Sequence, residues 1–217
     1  MDTKKAIVIG STGMVGAELV ELLLEDSSYS EVVSLVRRPS GVVHPKLKEH
    51  VIDFDKPESW VDLVNGDVLF STLGTTLAAA KSKDEQYKVD YTYQFTVAKI
   101  AAKNAVTTYV LVSSAGANPN SKAFYMNMKG QLDLTVQALP FEIISILRPG
   151  QLAGNRKQNR FGEKLALSVM FGLNKIGLFK KYKPIYANDV AKAMIHAAQK
   201  RKLAIYTLSE VHQLANK

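Results

Sequence analysis

The chain begins with a short apolar run, Ala6-Ile7-Val8-Ile9, that stops at Gly10 and continues Ser11-Thr12-Gly13-Met14-Val15-Gly16. An amphipathic stretch follows, with Val15, Leu19, Leu22 and Leu23 on one stripe. β-Branched residues followed by glycine and then a 3.6-residue period predict strand, tight turn and helix. Three glycines at spacings of three assign a job to each: Gly10 permits the turn, Gly13 admits a ligand close to backbone, and Gly16 lets the helix approach the strand. The start of such a helix directs N–H groups and a partial positive charge at an anion, so this elbow predicts a site for a dinucleotide diphosphate. The spacing is G-x-x-G-x-x-G rather than the usual G-x-G-x-x-G; its place directly after the first strand is what gives it weight.

Apolar strands then alternate with helical segments. Strands are expected at 31–36, around Val51-Ile52, and at 67–71, 108–113, 141–147 and 204–208. Helices are expected at 57–64, 84–104, 123–138 and 188–199, the last capped by Asn188. Buried strands separated by helices predict a doubly wound parallel α/β sheet with ligands at the carboxyl ends of its strands. The 217 residues suit one such domain, 1–217. Within it, 151–183 differs in texture: eight basic residues between Arg156 and Lys183 face the single acid Glu163, nearly the whole excess behind a net charge of +8. This basic insertion, with a helix expected at 163–172, is read as a small substrate-binding lid whose charge favours an anionic small molecule.

There is no cysteine, which removes disulfides, thiolate metal sites and cysteine nucleophiles. The histidines are scattered without metal-ligand spacing, so no metal is expected. No zinc-finger or RNP-type motif accompanies the positive charge, and nucleic acid is not an expected partner. An apolar stretch at 165–178 followed by Lys180-Lys181 could lie on a membrane surface, but a packed lid is the preferred reading. The first strand starts close to Met1 and leaves no room for a leader, so the expected compartment is the cytoplasm.

The candidate chemistry sits further on. Tyr125 and Lys129 form Y-x-x-x-K, one helical turn apart on one face. An ammonium beside a phenol favours phenolate, which makes Tyr125 a candidate general acid/base for a carbonyl or hydroxyl oxygen. The strand before that helix ends Ser113-Ser114-Ala115-Gly116, where either serine could hydrogen-bond the reacting oxygen. Strand two ends Arg37-Arg38-Pro39 and carries no acid; two guanidiniums suit the 2′-phosphate of NADP(H) better than the bare ribose of NAD(H).

Taken together, 10–16, Arg37-Arg38, Val51-Ile52-Asp53-Phe54, Leu73-Gly74-Thr75-Thr76, Val89-Asp90, Ser113-Ser114 with Gly116-Ala117, Tyr125 with Lys129-Gly130, and Arg148-Pro149-Gly150 with Leu152 resemble an atypical short-chain dehydrogenase/reductase. More narrowly, they are similar to the Tat-interacting-protein oxidoreductase group. The resemblance implies a Rossmann domain binding NADPH, and a Ser–Tyr–Lys site in which Tyr125 gives the proton and Lys129 bonds the nicotinamide ribose. It assigns the serine role to Ser113 or Ser114, and cofactor contacts to residues 10–16, Arg37, Arg38, Asp53, Leu73, Gly74, Thr75, Tyr125, Lys129, Pro149, Gly150 and Leu152. Asp53 by resemblance lies beside the adenine, although capping the next turn would also explain it. The asparagine that such sites carry on the long helix has no counterpart at the right place; Asn104 stands at its far end. The expected function is NADPH-dependent reduction of a carbonyl. A non-catalytic NADPH-binding sensor and a nucleotide-sugar epimerase-like enzyme are the alternatives these residues leave open.

Overall fold

A computed structural model describes residues 3–153, 184–200 and 203–216. The first half runs β1 (Lys4–Ile9), α1 (Met14–Glu25), β2 (Tyr29–Val36), β3 (Leu47–Val51), two 3₁₀ turns (Pro57–Ser59, Val61–Leu63), β4 (Val68–Ser71) and α2 (Leu77–Ala80). There follow α3 (Lys83–Tyr87), a π-helical segment (Lys88–Tyr93), α4 (Gln94–Lys103), β5 (Thr108–Val112), α5 (Phe124–Val136) and β6 (Ile143–Leu147). The chain closes with β7 (Leu152–Ala153), β8 (Ile185–Tyr186), α6 (Ala187–Ala198), β9 (Ala204–Tyr206) and α7 (Leu208–Ala215).

Seven strands pair in the order β3-β2-β1-β4-β5-β6-β9, and every pairing is parallel. The order reverses between β1 and β4, which opens a crevice beyond their carboxyl ends. Successive side chains of a strand face opposite ways, and β1 shows the consequence. Ala6 and Val8 enter one core layer with Leu19 and Leu23 of α1, Met194 of α6 and Val211 of α7. Ile7 and Ile9 enter the other with Trp60, Val97 of α4 and Leu132 of α5. All four β1 residues are fully buried. A strand buried on both faces is why this segment reads as a continuous apolar run.

Several expectations change in detail. The helix foreseen at 84–104 is three segments, because a π turn interrupts it at Lys88–Tyr93. The stretch 57–64 forms 3₁₀ turns that bury Trp60, whose indole N–H donates to Asp53 O at 2.7 Å. Asn188 does not cap α6. The helix starts one residue earlier, and the Asn188 amide instead donates to Glu18 Oε2 at 3.0 Å, tying α6 to α1. β9 is shorter than expected and is followed by α7, which no expectation included. β7 and β8 pair in parallel, so the two ends of the basic insertion meet. The helix expected at 163–172 falls outside the described residues.

Candidate active site

The elbow between β1 and α1 forms as its glycines require. Gly10 has φ of +82°, and a Cβ there would lie 2.6 Å from Leu73 N and the Thr72 carbonyl carbon. Gly13 N–H donates to Gly10 O at 2.9 Å and α1 starts at the next residue. A Cβ on Gly16 would run into Gly10 O and Thr72 Oγ1. Thr72 itself is held by β1, its hydroxyl donating to Ile9 O at 2.8 Å. Ser11 is buried and bonded to Ser34 Oγ at 2.6 Å, Thr12 and Gly13 are exposed, and Val15 packs into the core. No side chain caps α1 and no acid stands in its first turn around Met14. A narrow backbone cradle at an uncapped helix start fits a diphosphate, so the residues present suit a dinucleotide.

At the end of β2, Arg37 and Arg38 are exposed, and neither pairs with a carboxylate among the described residues. Asp53 caps the following turn, accepting from Asp55 N–H at 3.0 Å, with Lys56 at 3.6 Å. Its side chain remains half exposed.

The β4 loop carries Leu73, Gly74 and Thr75 from the elbow toward the helices. Thr75 N–H donates to Asp90 Oδ2 at 2.7 Å, and Thr75 O accepts from Gln86 Nε2 at 3.1 Å. Asp90 Oδ1 is ion-paired with Lys129 Nζ at 2.9 Å, both side chains being almost wholly buried. Burial alone would pull the Lys129 ammonium down; the Asp90 carboxylate, the Tyr125 phenol and the Asp133 carboxylate outweigh it and hold the pKa above the usual lysine range. Asp133 lies one turn beyond Lys129 and accepts from Arg148 Nε at 2.8 Å. Burial raises its carboxyl, partly offset by the Ser113 hydroxyl and the Arg148 and Lys129 charges.

Tyr125 is 37% exposed. With Phe124 it lines a cleft of about 450 Å³ whose other walls are Thr75, Thr76, Leu77, Lys83 and Gln86. The Lys83 ammonium stands 5.5 Å from the centre of the Phe124 ring. The structure therefore brings the elbow, the Leu73–Gly74–Thr75 loop, Lys129 and Tyr125 into one connected assembly. The two serines differ. Ser113 is buried, its hydroxyl facing the Asp133 carboxyl, whereas Ser114 is partly exposed, with its hydroxyl 3.3 Å from Ala115 O. Pro149 is buried and its carbonyl accepts from Ala115 N–H at 2.9 Å; Gly150 follows, and Leu152 pairs with Ile185.

Asn104 is not part of this assembly. Its amide closes the turn before β4, donating to Val61 O and Val64 O at 2.9 and 2.8 Å. Asp90 occupies the place facing the lysine, a role sequence reasoning missed. The Val89-Asp90 pair was visible, but helical phase cannot be carried through a π turn. Lys83, Gln86 and Asp133 were missed as well, because a single polar residue on a helix carries no pattern of its own.

The chain matches the model of the NAD(P)H-binding family over residues 10–201. It is 37% identical over 201 residues to "Protein FMP52, mitochondrial" of Saccharomyces cerevisiae, covering 88% of this chain and 86% of that protein. The protein of the same name from Candida albicans is 34% identical over 199 residues, covering 89% and 87%. Among solved structures, UDP-glucose 4-epimerase of Thermotoga maritima superposes with a TM-score of 0.72 at 16% identity, over 98% of this chain and 80% of that one. The Bordetella bronchiseptica enzyme WbmH in complex with NAD+ also gives 0.72, at 17% identity, over 99% and 80%. These likenesses carry the Rossmann fold. The expected cytoplasmic location is overturned, since the relatives that match most of the chain are named mitochondrial. That expectation rested on the closeness of the first strand to Met1, which does not fix a compartment.

Proposed function

The chain belongs to the NAD(P)H-binding family, with the FMP52 proteins as relatives, and on that premise we propose that it is an NADPH-dependent reductase of small carbonyl compounds. The observation that carries this reading is Tyr125, which lines an open cleft one helical turn from a buried, charged lysine. Bound at the elbow of residues 10–16, NADPH would supply the hydride that the carbonyl carbon takes up. Tyr125 Oη gives its proton to the carbonyl oxygen, Lys129 stabilises the phenolate left behind, and solvent returns the proton through the cleft. Ser114, at the partly exposed end of β5, is the serine we assign to the reacting oxygen; Ser113 lies too deep.

The preference for NADPH rests on Arg37 and Arg38, two exposed guanidiniums at the end of β2 with no carboxylate beside them. An anionic substrate is favoured by Lys83, whose ammonium borders the cleft across Phe124. The relatives' name makes mitochondria the location we adopt.

The test is NADPH consumption against paired acidic and neutral carbonyl compounds. Acidic members should turn over faster. Tyr125→Phe should slow turnover at least about a hundredfold, the scale of lost general acid catalysis, with NADPH affinity unchanged. Equal turnover by this variant and the parent would remove Tyr125 from the mechanism.

A further inference from the structure

Asp90 lies in the one π-helical segment among the described residues, and that segment is built to hold it. π turns are costly and recur at functional sites. Here the Asp90 carbonyl accepts from Gln94 Nε2 at 2.7 Å, and Gln94 Oε1 is fixed by Ser71 Oγ at 2.7 Å. Asp90, Gln94 and Ser71 are each no more than 1% exposed. The carboxylate divides its oxygens: Oδ2 holds the Thr75 N–H of the β4 loop, and Oδ1 holds Lys129. Fold stability is a poor account of such a pair, because the desolvation of two buried ions offsets much of their attraction.

We propose that Asp90 is a positioning residue that clasps Lys129 to the β4 loop and offsets the lysine's charge beside the Tyr125 phenol. The inference rests on the reading of Tyr125 as proton donor and adds the group that tempers the charge next to it. An ammonium alone favours phenolate, whereas an ammonium with a carboxylate at 2.9 Å presents a dipole, whose field at the phenol is weaker. The other charged groups around the phenol and the lysine are Asp133 on α5, Arg148 paired with it at the end of β6, and Lys83 beside Phe124. Of the three N–H donors of Lys129, the described residues engage one, through Asp90 Oδ1 at 2.9 Å.

The experiment is the ultraviolet titration of the Tyr125 phenol, isolated as the difference between each protein and its Tyr125→Phe counterpart. It needs neither substrate nor turnover. Asp90→Asn removes the charge and keeps an acceptor for Thr75; Asp90→Ser does so with a smaller side chain. Either folded variant should move the midpoint about one unit toward lower pH, the scale of a newly uncompensated neighbouring charge. The shift should vanish when Lys129→Met is added. An unchanged midpoint, a shift to higher pH, or collapse of both variants would make Asp90 a residue of the fold alone and overturn the proposal. If Tyr125→Phe keeps full turnover while the shift appears, the reductase reading fails and the charge coupling stands.

Discussion

At the scale of single residues, the elbow turns on contacts that admit no side chain. A methyl group on Gly16 would occupy the space of Gly10 O and Thr72 Oγ1, both fixed by the sheet. Alanine in a helix gains about 1 kcal/mol over glycine in propensity. A clash with main chain outweighs that gain, since overpacking costs about 1–3 kcal/mol. Gly16→Ala should therefore lower the denaturation midpoint and weaken nucleotide binding together, which urea unfolding and calorimetry would measure. The role of Gly16 was legible from spacing because the constraint is local: three residues on, the helix crosses the turn it left. Asp90 shows the opposite case. Its importance comes from Thr75 and Lys129, which lie 15 and 39 positions away, and no local pattern joins them.

At the scale of elements, helical phase marks where the sequence stops being readable. Val97 and Ala101, one turn apart on α4, face the core, whereas within the π turn the register changes and Val89 and Asp90 turn inward. α7 was missed for a different reason. It is only eight residues long, but its start carries a readable signal, Thr207 with Glu210 three positions later. Both Thr207 N–H and its hydroxyl donate to Glu210 Oε2 at 2.8 Å. Thr207→Ala should cost about 1 kcal/mol in chemical denaturation, as loss of an N-cap does. The backbone bond from Thr207, then its hydroxyl, lowers the Glu210 pKa in the folded state. A depressed carboxyl stabilises the fold above its unfolded pKa and loses that contribution as pH falls through the folded one. The stability gap between the parent and Glu210→Gln should accordingly close on acidification.

At the scale of the whole molecule, one sheet carries every part of the site, so ligand binding and folding are linked. NADPH at a hundred times its Kd should add about 2.7 kcal/mol of stability, or roughly 5–10 °C in Tm for a chain of this size. With Arg37→Ala and Arg38→Ala combined, the rise should drop to that given by NADH, as a thermal shift assay would report; an equal rise for both cofactors in the parent would end the NADPH preference. The sequence alone determined the parallel doubly wound sheet, the elbow after its first strand, and the pairing of Tyr125 with Lys129 on one helix face. Each follows from spacing along a few turns or strands, where covalent geometry sets which residues are neighbours. Only the tertiary structure decided that Asn104 closes a distant turn, that Asp90 faces the lysine, that Ser113 is buried while Ser114 is partly open, and that Lys83 borders the cleft. Those relations join separate elements across the ends of the strands, and it is the packing of helices on the sheet that brings them within bonding distance.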